Sequence, residues 1–307
     1  TVQSIQKVSD TDGNFTGDLE KNGEFGSSIA GIGDLDGDNI PDIAVGQMSN
    51  NGGGKKRGAV WILFMNSDGS IKTHHLISDD SGDLGAPGSL LVNNDEFGSG
   101  VAAVGDVNGD GVQDLVVGAW GDDAGGISKD RGTAYTLFME TDGSVLSFAE
   151  ISAVSVGNFV QKGFFGTSVS RAGDVNGDGT PDVLIGSYSY TDDDVQVVGA
   201  SWLVYLAADG TAISAQKFSA STLGLTPHLN KKDWFGADAV MLSDFDGNCI
   251  DELIIGAPKD DPLTDISTTE DKGAVWVLNV SALTTPAKTA SGESTGQQAA
   301  DIAQIFD

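Results

Sequence analysis

The sequence predicts an all-β fold: a β-propeller of four blades, each with four antiparallel strands. Three observations predict it. One block of residues recurs four times in a single register. Short β-branched runs bounded by turn residues fill the space between the copies. The first residues of the chain resemble the last strand that the fourth copy lacks.

The repeat is read first, because missing it miscalls the whole fold. A Phe-Gly pair stands at Phe25-Gly26, Phe97-Gly98, Phe165-Gly166 and Phe235-Gly236. Nine positions after each Phe stands Asp34, Asp106, Asp174 or Asp244, and twelve further on Gly46, Gly118, Gly186 or Gly256. The block therefore contains no insertion in any copy.

The strands follow in order. Ile43–Val45, Leu115–Val117, Val183–Ile185 and Leu253–Ile255 are apolar runs between an acidic residue and a Gly, which suits a buried strand. Next come Gly58–Leu63, Gly132–Leu137, Gly199–Val204 and Gly273–Leu278, each with an aromatic fourth residue (Trp61, Tyr135, Trp202, Trp276). Those aromatics, like the Phe of each Phe-Gly pair, are expected in the core between blades. Asp68-Gly69, Asp142-Gly143 and Asp209-Gly210 then mark hairpins, since Asp-Gly accepts the positive φ of tight turns. A further strand follows each.

The fourth copy has no such hairpin. Ser4–Asp10 resembles Ser70–Asp79, so the expected solution is that the N-terminal strand, residues 1–10, completes the last blade and closes the ring. The repeats span roughly 20–90, 91–160, 161–230 and 231–285, which makes 1–285 one propeller domain and 286–307 a C-terminal tail. Two other arrangements stay open: a piece of a larger propeller, or a ring shared between chains.

Between the first and second strands of each copy lies a nine-residue loop, and this is where the chemistry sits. Side-chain oxygens fall at positions 1, 3, 5 and 9: Asp34, Asp36, Asp38 and Asp42; Asp106, Asn108, Asp110 and Asp114; Asp174, Asn176, Asp178 and Asp182; Asp244, Asp246, Asn248 and Glu252. Position 7 (Ile40, Val112, Thr180, Ile250) adds a backbone carbonyl. Position 4 is Gly in all four copies, which lets the chain turn sharply without a Cβ. Such a set matches the six to eight oxygens that calcium takes at about 2.3–2.6 Å, and about four ions are expected, one per repeat. Magnesium demands a tighter octahedron, and no His or Cys cluster accompanies the loops to favour zinc. The terminal carboxylate falls at position 9 and a strand follows, so the loop is not an EF-hand. Asp, Asn and Gly also make plain turns, but four loops in one register, crowded with carboxylates, argue for a cation.

The order Phe-Gly, Asp-x-Asp/Asn-Gly-Asp, strand, Gly-Ala-Pro (complete at Gly256-Ala257-Pro258), then Gly-Ala-Val, resembles the FG-GAP repeat of integrin α-subunit heads and of secreted microbial and algal proteins. The resemblance implies a β-propeller with calcium at the matching loop positions. Integrin heads have seven blades and this chain shows four.

The charge is −29, from 45 acidic and 16 basic residues. Such a surface repels nucleic acid and anionic lipid, so neither is an expected partner. No apolar run reaches eighteen residues, so membrane insertion is not expected. Cys249 is the single cysteine and excludes an intrachain disulfide. Sequons begin at Asn14 and Asn279.

The segments joining the second and third strands vary in length, and recognition tends to live in such loops. Lys55–Arg57, Lys129–Arg131, Lys259–Asp261, Trp120, Tyr188 and Tyr190 lie there. The expected function is an extracellular, calcium-binding module for adhesion, assembly or a surface coat, without enzymatic activity. Its variable-loop face meets a protein or carbohydrate ligand, and self-assembly is a further option. The alternative is a polysaccharide lyase, a hydrolase or a lectin on the same scaffold. His74, His75 and His228 adjoin no nucleophile pattern, and His74 and His75 should point to opposite faces of a strand.

Overall fold

Fifteen strands, in four antiparallel sheets, account for the secondary structure of the described residues. The computed structural model describes residues 5–81, 83–85, 90–123, 130–157, 162–191, 197–225, 228–244, 251–261 and 272–279. The first blade comprises β1 (Phe25–Gly33), β2 (Asp42–Gln47), β3 (Ala59–Met65) and β4 (Ile71–Ser78), hydrogen-bonded in chain order. The second comprises β5 (Phe97–Gly105), β6 (Asp114–Ala119), β7 (Thr133–Met139) and β8 (Val145–Ser152). The third has β9 (Val169–Gly173), β10 (Asp182–Ser187), β11 (Ala200–Leu206) and β12 (Ala212–Ser219). In the fourth, β13 (Asp238–Leu242), β14 (Glu252–Ala257) and β15 (Ala274–Asn279) are paired. The sheets are arranged as the blades of a four-bladed β-propeller.

Strands adjacent in sequence are adjacent in each sheet, and in the first three blades the third and fourth are joined by a tight Asp-Gly turn. At the Asp68-Gly69 turn the Asp68 carboxylate accepts the Ser70 N–H at 2.9 Å, and Gly69 takes φ +83°. Asp142 and Asp209 repeat the arrangement. The middle strands β6, β7, β10 and β11 are buried along their whole length, as their continuous apolar runs require.

Blades pack face to face. Val60, Ile62 and Phe64 of the first blade share a core with Val117, Tyr135 and Leu137 of the second. Phe97, Phe165 and Phe235 are fully buried at successive seams, and Phe165 meets Trp202 edge-on at 5.5 Å. The backbones nearly touch there. A Cβ placed on Gly46, Gly118 or Gly186 would stand 2.1, 1.9 or 2.2 Å from the carbonyl oxygen of Gly98, Gly166 or Gly236 in the next blade. Only Gly allows that approach.

The seam from the fourth blade to the first is different, and ring closure as expected from the sequence is not formed among the described residues. A Cβ on Gly256 would meet only Asp238 of its own blade, at 3.6 Å, and one on Gly26 would meet nothing within 4 Å. Ile29 on β1 is 65% exposed, where Val101 at the same place on β5 is 6% exposed. The N-terminal residues do lie where the register places them. Ile71 N–H donates to the Gly13 carbonyl at 2.8 Å, as Val145 N–H donates to Asp83 in the next blade. Gln6 sits under Gly69 as His75 sits under Gly143. However, Ile5–Val8 form no strand and pair with no β15. An outer strand is held by its neighbour's ladder, and β15 is not alongside to supply one.

His74 and His75 point to opposite faces, as expected. His74 packs on Phe15 and Trp61, while His75 Nε2 lies 3.0 Å from Asp83.

Two outcomes follow from this packing. Phe165→Ala should lower the unfolding free energy by about 3–5 kcal/mol, because it empties a fully enclosed aromatic site. Chemical denaturation measures it, and a loss near zero would contradict the packing described. The Asp83 carboxylate raises the His75 pKa through its hydrogen bond. A proton held more tightly by the folded state adds stability below pH about 6.5 that is lost as pH rises through the folded value. The melting temperature of the native chain should thus fall between pH 6 and 8 relative to His75→Gln, and parallel curves would remove this pair from the account.

Candidate metal centres

The three loops described in full share one hydrogen-bond pattern. Position 1 gathers backbone donors: Asp34 accepts the N–H of Asp38 at 2.9 Å and of Asn39 at 2.7 Å. Asp106 accepts Gly109, Asp110 and Gly111, and Asp174 accepts Asp178 and Gly179. Position 3 accepts the N–H of position 5, and position 5 accepts that of position 7, at 2.8 Å in Ile40, Val112 and Thr180. The side chains at 1, 3 and 5 are thereby turned into one concave loop before any ligand is considered.

Position 9 has a second task that spacing alone does not reveal. Asp42, Asp114 and Asp182 are buried at the start of the second strand. One oxygen of each accepts the N–H of position 2 (Leu35, Val107, Val175). The other accepts the N–H of Met65, Met139 or Leu206 at the end of the third strand. The carboxylate is a strut between the loop and the blade. Burial raises the pKa of all three, and Asp114 and Asp182 are pushed up to about 6, with the charges of Asp110 and Asp178 adding to the rise.

In the first loop, oxygens of Asp34, Asp36 and Asp42 all lie within 4.8 Å of one another. A donor set made wholly of oxygens, with repelling carboxylates at such range, fits a hard divalent cation. The first loop also carries an internal cation: Lys72 Nζ stands 2.7 Å from Asp36 and 2.5 Å from Asp38. At the same place on β8 and β12 stand Leu146 and Ile213, both exposed. In the fourth loop Asp244 and buried Glu252 are described, whereas Asp246, Asn248 and Ile250 lie outside the described residues.

The opposite end of the blades holds a different surface. Phe25 pairs with Gln47 at one end of the first sheet, and Gly33 with Asp42 at the other. The Asp-rich loops belong to the second end, and the segments following Gln47, Ala119 and Ser187 belong to the first. There a row of rings crosses three blades. Trp120 meets Phe164 at 4.7 Å, Phe164 meets Tyr188 at 5.4 Å, and Tyr188 meets Trp234 at 5.1 Å. Lys259 Nζ caps the row, 3.8 Å above the Trp234 ring. All four rings are half-buried.

Trp120, Tyr188 and Lys259 were expected on this face; Phe164 and Trp234 were missed. Both precede a Phe-Gly pair, as Glu24 and Glu96 do, and all four take φ between 55° and 61°. That shared turn brings Phe164 and Trp234, both half-buried, to this end of their blades, and an aromatic residue before Phe-Gly was the available signal. Three other expectations are corrected. Tyr190 is buried against Trp202, because its ring fills the core beside β11. Arg57 is ion-paired with buried Asp79, and Asp260 accepts the Trp276 indole N–H at 2.8 Å, so both are structural. Lys129 lies outside the described residues.

Comparison with known proteins places these features in a family. The chain matches the FG-GAP repeat family over residues 25–63, 97–137 and 165–204. The fourth copy is not matched, although it forms its sheet. Integrin alpha-PS2 of Drosophila melanogaster is 32% identical over 214 residues, covering 69% of this chain and 14% of its own length. Integrin alpha pat-2 of Caenorhabditis elegans is 27% identical over 265 residues, 84% of this chain and 20% of its own. Integrin alpha-5 of Xenopus laevis is 27% identical over 180 residues, 57% of this chain and 16% of its own. This chain thus spans a fifth or less of each of these relatives. With three matched repeats folded as successive blades, it is an FG-GAP β-propeller, similar to integrin alpha chains.

Proposed function

We propose that this chain is a calcium-loaded recognition module of an extracellular adhesion protein, binding a protein ligand through its ring-lined face. The observation that carries the reading is the row Trp120, Phe164, Tyr188 and Trp234, capped by Lys259, on a molecule whose surface is otherwise acidic. Aromatic rings such as Trp and Tyr are what recognition surfaces enrich. The likeness to integrin alpha chains supports the adhesion class. The metal ligands on this reading are positions 1, 3, 5, 7 and 9 of each loop, and calcium holds the ends of the blades rigid opposite the binding face. An enzymatic reading has less support, since the patterned carboxylates are engaged by backbone N–H groups in the loops.

Calcium should stabilise the chain strongly. Each independent site adds RT ln(1 + [L]/Kd), about 2.7 kcal/mol at a hundredfold excess over Kd. EDTA should lower the melting temperature by many degrees. Asp110→Ala with Asp178→Ala should remove two sites from the calorimetric stoichiometry while leaving the EDTA melting curve nearly unchanged. Equal melting curves with and without calcium would refute the metal assignment.

The binding face is tested separately. Trp120→Ala, Tyr188→Ala and Trp234→Ala together should abolish retention on a panel of immobilised extracellular matrix proteins, with calcium stoichiometry intact. Undiminished retention would reject this face. Retention on a glycan array alone would replace the protein ligand with a carbohydrate.

A further inference from the structure

The first loop departs from the second and third at one ligand position, and a lysine from another strand answers the difference. Position 3 is Asn108 or Asn176 in the later loops and Asp36 in the first. Nδ2–H of Asn108 donates to Asp110, and that of Asn176 to Asp178, both at 2.8 Å. An ionised Asp36 only accepts, so it cannot serve Asp38 in the same way. Lys72, on β4, supplies the missing donor. Its Nζ donates to Oδ2 of Asp36 at 2.7 Å and to Oδ2 of Asp38 at 2.5 Å.

Charge is matched by the same exchange. Positions 1, 3, 5 and 9 carry four carboxylates in the first loop and three in the second and third. One ammonium group makes up the difference. Leu146 and Ile213 take the place of Lys72 on β8 and β12 and are exposed and apolar, so they bring no charge to their loops.

The balance bears on how tightly each loop holds a cation. Calcium affinity follows the charge count and rigidity of the ligands. By carboxylates alone, the first loop would be the tightest of the three. A divalent ion there, however, must share Asp36 and Asp38 with a positive charge already hydrogen-bonded to both. If the ammonium stays, it repels the ion at a range of a few ångströms. If it leaves, two charge-assisted hydrogen bonds are given up. Lys72 is 40% exposed on a flexible stem, so it is free to swing away. Either course costs affinity.

We infer that Lys72 sets the cation affinity of the first loop. Its ammonium competes with a divalent ion for Asp36 and Asp38 and cancels the advantage of the fourth carboxylate. This rests on the proposed reading of the loops as calcium sites. The first loop then fills at a higher calcium concentration than its own ligand set would require.

Calorimetric titration of the full 307-residue chain with calcium chloride tests this. Lys72→Met keeps a stem of similar length without the charge, and one site should tighten by about tenfold or more. That site should persist when Asp110→Ala and Asp178→Ala are added, and Asp38→Ala should abolish it. Lys72→Arg, which keeps the positive charge, should leave it near the native value. Leu146→Lys should weaken a different site, the one that Asp110→Ala removes. Both substituted positions are exposed, so the fold should be retained. Calcium uptake with every affinity unmoved by Lys72→Met, or with one site weakened by it, overturns the inference and leaves the metal assignment standing. A second loop as tight in Leu146→Lys as in the native chain overturns competition by an ammonium at this place. A native chain that takes up no calcium overturns the metal assignment and the inference together.

Discussion

The close approach of backbone to backbone between blades is the constraint on which the rest depends. At each formed seam a Gly of one second strand lies against the Gly of the next Phe-Gly pair, with no room for a Cβ. The contact draws adjacent sheets together until Val60, Ile62 and Phe64 can interlock with Tyr135 and Leu137. It also places a Phe ring from each incoming blade fully inside the core. Dispersion contacts fall off quickly with distance, so without this approach the sheets would share little core.

The same step sorts chemistry to the two ends of the blades. The first and second strands of each blade run between a turn rich in oxygen donors and a segment that varies in composition. Stacking blades in one register therefore collects the three fully described oxygen loops at one end and the described parts of the variable segments at the other. The position 9 carboxylate ties the loop to the third strand of its blade. It joins the loop end to the hydrophobic core, so that a change in the loop is felt by the sheet.

Repetition is incomplete in ways that have physical consequences. Lys72 supplies the first loop with a charge that Leu146 and Ile213 do not supply to the second and third. The loops thus start from different electrostatic states although their backbone patterns agree. The ring row is likewise confined to the second, third and fourth blades, because Glu24 and Glu96 stand where Phe164 and Trp234 stand later. Of those two carboxylates, Glu96 is buried and ion-paired with Lys56, so the ring row stops short of the first blade.

The repeat, the strand order, the hairpins and the loop positions were legible in the residues alone, since each depends on contacts close in sequence. Alternating Asp and Gly dictate a turn wherever they occur, and β-branched runs such as Leu115–Val117 dictate a strand. What lay beyond the sequence depends on angles summed over long distances. Whether the fourth blade reaches the first is set by the twist accumulated through three seams, and no residue encodes that sum. The alignment of Trp120, Phe164, Tyr188 and Trp234, the burial of Tyr190, and the strut made by Asp42, Asp114 and Asp182 are likewise meetings of residues from different strands or blades. Local preference names the elements, and only packing decides which of their side chains face one another.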